Sequence, residues 1–139
     1  MHPDSKIYLV DPWIDYEGYS EYINEQNEIY SNFLTNIDVL SPVHRNKFII
    51  QRGFSHQEVI KFADDYFDII YIDGNHESRY VMEDAVLSFR KLRVGGYLVF
   101  DDITFSSVQR GISAFLFIYS EHLKVFSSPY EMFAKKISS

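Results

Sequence analysis

The chain has 139 residues, of which 46% are hydrophobic and 17% aromatic, enough to fill the core of one globular domain. Its formal net charge of −7 excludes a generally basic surface, so neither nucleic acid nor anionic lipid is an expected partner. It has no cysteine, which excludes disulfides, thiolate zinc sites and a cysteine nucleophile, and we expect a cytoplasmic location.

Two further features bear on possible partners. No apolar stretch approaches the roughly 18 residues that a membrane span requires, so no membrane segment is expected. The two short basic segments, His44–Lys47 and Lys135–Lys136, are interpreted as solvated surface.

The chain begins with a predicted strand and a predicted helix. Lys6–Val10 is a short apolar run, and Asp11-Pro12 after it is expected to end a buried strand. From Tyr19 onward, apolar residues recur at helical spacing beside glutamates, which predicts a long amphipathic helix. Its apolar stripe consists of Tyr22, Ile23, Ile29, Tyr30, Phe33, Leu34 and Ile37.

A second strand, a turn and a second helix follow. Phe48–Ile50 predicts the strand and Gly53–Ser55 the turn. Ser55 is placed to cap a helix, because serine oxygens accept hydrogen bonds from the first helical N–H groups. The inner face of this helix is predicted to hold Val59, Ile60 and Ala63.

Two apolar runs that end in aspartates come next. Phe67–Ile72 ends at Asp73-Gly74, and Tyr97–Phe100 ends at Asp101-Asp102. Continuous apolar runs are typical of parallel strands that are covered on both faces. The helix between them carries Val81, Ala85, Phe89 and Leu92 on one side, and Gly95-Gly96 is predicted to form its C-terminal cap.

The C-terminal part predicts a further helix around Val108–Tyr119 and an antiparallel hairpin of Leu123–Phe126 with Glu131–Lys136. Alternating strands and helices with short turns predict an α/β domain. We therefore expect a mostly parallel sheet, flanked by helices, with the hairpin at its C-terminal end.

The aspartates that end the predicted strands indicate a site. Parallel strands present their carboxyl ends at one edge of the sheet, where α/β proteins bind ligands. One such aspartate is ordinary in a turn, but several at one edge favour function. Converging carboxylates repel one another unless a cation lies between them, and oxygen ligands favour Mg²⁺, Ca²⁺ or Mn²⁺. The natural ligand set is Asp73, Asp101 and Asp102.

Histidines near these strand ends leave alternatives open. His76 could supply a nitrogen ligand, act as a general base, or be an exposed loop residue. His56 lies where a helix is predicted to begin and is interpreted as structural, and most aromatic residues, Trp13 included, as core or pocket wall.

Two segments, Phe67–His76 and Leu92–Asp102, together resemble class I S-adenosylmethionine-dependent methyltransferases of the macrocin O-methyltransferase-like group. Val10–Trp13 is similar to that group's second strand. The resemblance implies a Rossmann-like fold, one methyltransferase-like domain over residues 1–139, and methyl transfer to an oxygen of a sugar or other small hydroxylated substrate. S-adenosylmethionine would be the cofactor, with Mg²⁺ (or Ca²⁺ or Mn²⁺) assisting.

The same resemblance implies roles for individual residues. Asp11 would hold the ribose hydroxyls of the cofactor, and Phe54 and Ser55 would lie near its adenine. Asp73 would face both cofactor and metal. The metal set, Asp73 with Asp101 and Asp102, would orient substrate oxygens and lower the pKa of the attacking hydroxyl.

Two departures from the group's pattern matter. The acid that serves some relatives as base, two residues after the motif aspartate, is replaced by Asn75, so His76 becomes the candidate base. The glycine-rich loop of the first βα unit also has no counterpart, because none of the six glycines forms a G-x-G cluster after a strand. We therefore expect a truncated methyltransferase fold, in which the Asp11 and Asp73 strands pair directly or another element fills the gap.

Two alternatives to an enzyme of this group remain. The first is a non-catalytic methyltransferase-like remnant that serves as an interaction or assembly module. The second is a metal-dependent hydrolase of phosphate esters. The lack of a Lys or Arg near the aspartates, which would stabilise the charge of the transition state, counts against it. The unpaired edges of a split sheet also predict a homo-oligomer.

Overall fold

A computed structural model of the chain describes residues 4–17, 19, 22–40 and 42–139, with the backbone alone for Leu40 and Pro42. The chain forms two compact units, Met1–Glu58 and Val59–Ser139. Each unit is described by itself below, and the single domain over residues 1–139 stays a prediction.

The first unit contains a pair of parallel strands. β1 (Ile7–Asp11) runs beside β2 (Phe48–Arg52), with Ile7 opposite Phe48 and Asp11 opposite Arg52. Between them lie α1 (Gln26–Leu40) and a short 3-10 helix (Pro42–Lys47), and α2 (Ser55–Glu58) follows β2. Both predicted strands are therefore confirmed.

The first helix begins later than its apolar stripe predicted. Tyr22 and Asn24 have φ angles of 55° and 65°, in the left-handed region that an α-helix cannot include. Tyr22 and Ile23 are exposed, so the stripe that α1 turns inward begins at Ile29.

The second predicted helix is only one α-helical turn, followed by a 3-10 turn at Val59–Lys61. Ser55 is its first residue and not its cap, because the N–H groups of Gln57 and Glu58 bond to the carbonyl of Phe54. The boundary between the two units falls at the same place, after Glu58.

The second unit contains a four-stranded sheet. Its strands are β3 (Phe67–Ile72), β4 (Leu92–Phe100), β5 (Leu123–Ser127) and β6 (Met132–Lys136), in the order β3-β4-β6-β5. β3 and β4 are parallel, whereas β6 is antiparallel to both β4 and β5. The α/β class with a C-terminal antiparallel hairpin is confirmed.

The strands pair within each unit. In the part of the chain that the structure describes, β1 pairs with β2 in the first unit and β3 with β4 in the second. The expectation that the Asp11 and Asp73 strands pair directly, or that another element fills the gap, concerns both units together and stays a prediction.

The helices of the second unit are α3 (Ser78–Lys91) and α4 (Ser106–Tyr119), and a 3-10 turn follows at Ser120–His122. They pack with the sheet around a core formed by Val81, Ala85, Phe89, Leu92, Leu98, Phe100, Val108, Ile112, Phe115, Leu123 and Ala134. Leu98, Val99 and Phe100 are buried in succession, so the last three residues of β4 are covered on both faces as predicted, whereas Val94 and Tyr97 are exposed. β3 is not, because Ile69 and Tyr71 are exposed while Ile70 and Ile72 contact the core.

The predicted glycine cap of α3 is wrong. The helix ends at Lys91, and Gly95 and Gly96 lie inside β4, where the register with β3 shifts between Phe67 and Ile69. Gly95 has a φ of +89°, which suits glycine in this irregularity. A Cβ on Gly96 would lie 2.7 Å from the carbonyl oxygen of Asp68. The glycines therefore serve the strand and not the helix end.

Lys136, predicted to be solvated surface, is only 3% exposed. Its ammonium donates to the carbonyl oxygens of Phe89 (3.2 Å) and Leu92 (2.7 Å) and to Asp65 Oδ1 (3.0 Å). The carbonyls at a helix C-terminus need donors from outside the helix. Lys136 supplies them, and the interpretation as solvated surface is wrong.

None of the helices in the described ranges is long and apolar enough to cross a bilayer.

Candidate metal and cofactor site

The ends of β3 and β4 bring three side chains together. Asp73 follows β3, Asp102 lies two residues after β4, and His76 belongs to the loop that leads into α3. One ligand atom from each of the three lies within 4.8 Å of the others. Because β3 and β4 are parallel neighbours, their carboxyl ends meet at one edge, as the sequence predicted for Asp73 and Asp102.

His76 faces Asp102 directly. Its Nε2 lies 3.0 Å from Asp102 Oδ2, and the side chain of His76 is 24% exposed. The imidazole also stacks on the ring of Phe105, with centroids 4.9 Å apart and planes 17° from parallel. The carboxylate and the aromatic ring together fix the orientation of this imidazole.

The loop after β4 holds Asp102 in an uncommon conformation. Asp102 has a φ of 53°, a left-handed value that most residues other than glycine avoid and that aspartate adopts more often than most. Its N–H donates to Asp101 Oδ1 at 2.8 Å, and its carbonyl accepts from the N–H of Phe105 at 3.0 Å. The N–H of Asp101 in turn bonds to the carbonyl of Ile72 on β3 at 3.1 Å. These bonds aim the Asp102 carboxylate toward His76.

Asp101 is not one of the three clustered side chains. Its Oδ2 accepts a 2.7 Å hydrogen bond from the hydroxyl of Tyr71, and its Oδ1 accepts the Asp102 N–H. The structure therefore places Asp73 and Asp102 of the predicted metal set with His76, and Asp101 with Tyr71. The metal ligand set itself stays a prediction.

The clustered donors fit a hard divalent cation. Mg²⁺ binds its ligands at about 2.1 Å, so ligand atoms around it are roughly 3 Å apart when adjacent and roughly 4.2 Å when opposite. Separations of no more than 4.8 Å between two carboxylate oxygens and one imidazole nitrogen need only a small closure to reach that geometry. Mn²⁺ accepts the same mixed donor set.

Asn75 has a structural partner at this edge. Its Oδ1 accepts a 2.8 Å hydrogen bond from the N–H of Glu77, the residue that precedes α3. An asparagine side chain that accepts a hydrogen bond from the backbone two residues later stabilises a turn. Asn75 thus helps to place His76, although its amide cannot serve as the missing base.

Tyr71 and Glu131 belong to this region and were missed by the sequence reasoning. The Tyr71 hydroxyl lies 2.7 Å from Asp101 Oδ2 and 3.1 Å from Glu131 Oε1. The hydrogen bond to Asp101 is the main cause that raises the pKa of Tyr71 above its ordinary value, with desolvation and Glu131 adding to it. The one available signal was the alternation of side chains along β3, which puts Tyr71 two residues before Asp73.

The first unit holds the residues predicted to bind the cofactor. Asp11 ends β1, and its Oδ1 accepts a 2.6 Å bond from the N–H of Trp13. Desolvation raises the pKa of the Asp11 carboxyl, opposed by the Trp13 N–H and the Arg52 guanidinium. Arg52 also donates to the carbonyls of Pro12 and Trp13, at 3.2 Å and 2.9 Å, so the turn after β1 is firmly tied.

Aromatic rings surround the position predicted for adenine binding. The ring of Phe54 packs edge-on against Tyr16 at 5.1 Å and stacks on His56 at 5.6 Å. Ser55 follows directly as the first residue of α2. Trp13, in contrast, is buried against Tyr30 and Phe33 of α1, which agrees with its interpretation as core.

The predicted site residues thus form two sets. Asp11, Phe54 and Ser55 belong to the first unit, and Asp73, His76, Asp101 and Asp102 to the second. Parallel strands with carboxylates beyond their carboxyl ends and helices alongside are the arrangement in which α/β proteins bind nucleotide cofactors. The chain belongs to the methyltransferase domain family, whose model matches residues 1–103.

Solved structures show the same fold. The O-methyltransferase NovP is 14% identical with a TM-score of 0.69, over 97% of this chain and 61% of that one. CalS11, a TDP-rhamnose 3'-O-methyltransferase of calicheamicin biosynthesis, is 11% identical with a TM-score of 0.62, over 94% and 58%. MycE, solved with Mg, SAH and mycinamycin VI, is 16% identical with a TM-score of 0.56, over 95% and 45%. This chain therefore spans less than two thirds of each.

No curated protein matches the chain significantly.

Proposed function

We propose that this chain contributes to an S-adenosylmethionine-dependent, divalent-metal-assisted O-methyltransferase that acts on a sugar or another small hydroxylated substrate. The observation that carries the proposal is the cluster of Asp73, His76 and Asp102 at the end of two parallel strands in a methyltransferase-family chain. Placement in the macrocin O-methyltransferase-like group is part of the same proposal.

Structural neighbours support the choice of substrate and metal. CalS11 is described as a TDP-rhamnose 3'-O-methyltransferase, and MycE was solved with Mg, SAH and mycinamycin VI. A bound Mg²⁺ would polarise a substrate oxygen and lower the pKa of its hydroxyl. In this chain Asp73 and Asp102 would hold the ion, with His76 or Asp101 as the third protein ligand.

His76 is the proposed general base if it is not a ligand. An acceptor hydroxyl would form the new C–O bond with the methyl group of S-adenosylmethionine, while the S–C bond breaks and leaves a neutral thioether. The hydroxyl proton would pass to His76, whose ring is already oriented by Asp102 and Phe105. Asn75 cannot take this proton, because it is an amide.

The first unit would bind the nucleoside part of the cofactor. Asp11 ends its strand with a carboxylate that can accept hydrogen bonds from two ribose hydroxyls. Phe54, with Tyr16 beside it, offers an apolar aromatic surface for adenine, and Ser55 lies next in the chain. A cytoplasmic location and a homo-oligomeric state remain predictions alongside this proposal.

Replacing Asp73 with asparagine is expected to weaken Mn²⁺ binding by about tenfold or more, because one anionic ligand is lost while the side-chain shape is kept. Mn²⁺ affinity can be measured by electron paramagnetic resonance of the free ion. Asp68→Asn is the matched control, since Asp68 lies on β3, the strand that Asp73 follows, is exposed and pairs with Arg93. Equal affinities of the two variants would rule out Asp73 as a ligand.

Replacing Asp11 with asparagine is expected to weaken binding of S-adenosylmethionine by about tenfold, because the charged acceptor of the ribose hydroxyls is lost. Asparagine keeps an oxygen for the Trp13 N–H, so the turn should survive. Calorimetric titration gives the affinity, with Asp38→Asn as control, since Asp38 is exposed and pairs with Arg45. A wild-type chain that binds neither the cofactor nor Mn²⁺ would favour the non-catalytic remnant instead.

A further inference from the structure

A chain of hydrogen bonds leads from the C-terminal hairpin to the metal cluster. Glu131 Oε1 lies 3.1 Å from the hydroxyl of Tyr71, which donates to Asp101 Oδ2 at 2.7 Å. Asp101 Oδ1 accepts the N–H of Asp102 at 2.8 Å, and Asp102 Oδ2 lies 3.0 Å from His76 Nε2. These contacts connect the hairpin, β3, the loop after β4 and the loop before α3.

Glu131, at the outer end of this series of hydrogen bonds, is fixed by the hairpin turn. The N–H of Ser128 donates to the carbonyl of Glu131 at 2.8 Å, and the Ser128 hydroxyl accepts the N–H of Glu131 at 3.0 Å. The turn is further tied to the loop after β4, because the N–H of Ile103 donates to the carbonyl of Tyr130 at 3.3 Å. These hydrogen bonds therefore hold the backbone of Glu131 in place.

At the other end of this series of hydrogen bonds, the Asp102 carboxylate has to be oriented toward the metal site. Asp102 adopts a φ of 53°, which an aspartate leaves readily for the ordinary helical or extended regions unless bonds hold it. The Asp101 carboxylate supplies one of those bonds, to the Asp102 N–H. An aspartate whose own side chain can rotate would hold that N–H less well, and Tyr71 restricts this rotation by binding the other carboxylate oxygen.

We propose that Tyr71, whose hydroxyl lies between the Asp101 and Glu131 carboxylates, is a positioning residue that fixes the Asp101 carboxylate and through it directs Asp102 at the metal site. The relevance of this role to methyl transfer rests on the proposed function. Tyr71 itself touches neither metal nor substrate in this scheme. Its effect passes entirely through Asp101, in the way that partners behind metal ligands hold those ligands in other proteins.

The test is Tyr71→Phe, which removes one oxygen and keeps the ring. We expect Mn²⁺ affinity to fall about tenfold, as is usual when a residue that orients a metal ligand is lost. Exchange of the Asp102 amide hydrogen, followed by NMR on the metal-free protein, is expected to quicken by about tenfold as its bond to Asp101 loosens. A merely structural role of Tyr71 would speed exchange throughout β3 and β4 instead.

Tyr97→Phe is the matched control. Tyr97 lies on the neighbouring strand β4, and the ammonium of Lys135 lies 5.5 Å from its ring centroid. We expect this variant to keep wild-type Mn²⁺ affinity and wild-type exchange at Asp102.

The outcomes separate this inference from the proposed function. Tight Mn²⁺ binding by the wild type and equally tight binding by Tyr71→Phe, with unchanged exchange at Asp102, would overturn the inference and leave the metal site standing. If the wild type binds no Mn²⁺, the metal-assisted function fails, and the exchange measurement alone decides whether Tyr71 positions Asp102.

Discussion

Replacing Lys136 with methionine is expected to destabilise the second unit by about 3 kcal/mol, because two buried carbonyls lose the ammonium that donates to them and are left unsatisfied. Methionine has a similar length and is apolar, so the packing against Phe89 should survive. In a unit of this size such a loss lowers the melting temperature by on the order of 10 °C or more.

The size of the effect follows from what Lys136 does at the end of α3. The last carbonyls of this helix are satisfied one by one: Leu92 N–H binds Ser88, Lys136 binds Phe89, and the N–H groups of Asp65 and Tyr66 bind Arg90 and Lys91. Lys136 also binds the Leu92 carbonyl and Asp65. Without the ammonium, the two buried carbonyls lose a donor that water cannot replace, whereas the Asp65 carboxylate is 56% exposed and can turn to water.

Lys135→Met is the matched control, since Lys135 is the preceding residue on β6 and is only partly buried. We expect it to cost less than about 1 kcal/mol, the usual range for a surface position. Trp13, the single tryptophan, lies in the first unit, so tryptophan fluorescence is not a direct probe of the second. Urea unfolding should be followed through the amide NMR signals of α3. Equal midpoints for the two variants would contradict the capping role of Lys136.

Most elements of the fold could be predicted because their cause is local. The apolar runs before Asp73 and Asp101 became the parallel neighbours β3 and β4, and the helix between them has the buried face that its spacing predicted. The end of α3 could not be predicted, since its cap comes from Lys136, Asp65 and Tyr66, which lie far from it in sequence or before it. Lys136 follows Lys135 in the sequence, and nothing in that pair indicates that the ammonium of Lys136 is buried.

The candidate site was predictable to a similar degree. The direction of parallel strands brings Asp73 and Asp102 together and needs only the strand ends to be known. The orientation of adjacent aspartates depends instead on the backbone, because the left-handed φ of Asp102 separates its side chain from that of Asp101. Glu131 lies 60 residues from Tyr71, so their contact has no local signal in the sequence.

Replacing Gly111 with valine is expected to destabilise the second unit by roughly 3 kcal/mol, the upper part of the range for overpacking a filled core. A Cβ on Gly111 would lie 2.6 Å from the carbonyl oxygen of Ser78 and 2.8 Å from the Cβ of Val81. The first atom belongs to the backbone of α3 and the second is bonded directly to it, so neither can move unless the helix moves. The Ser78 hydroxyl bonds to the Ser107 carbonyl at 2.7 Å and holds the two helices at this distance.

Ser113→Val is the control, because Ser113 lies on the exposed side of the same helix and receives the same side chain. We expect it to change stability by no more than about 0.5 kcal/mol. The α3 amide signals again report unfolding in urea. Equal stability of the two variants would show that α3 and α4 can separate without cost. Because α3 begins two residues after His76, a displaced α3 should also weaken Mn²⁺ binding, whereas the Lys136 variant, altered at the other end of α3, should spare it.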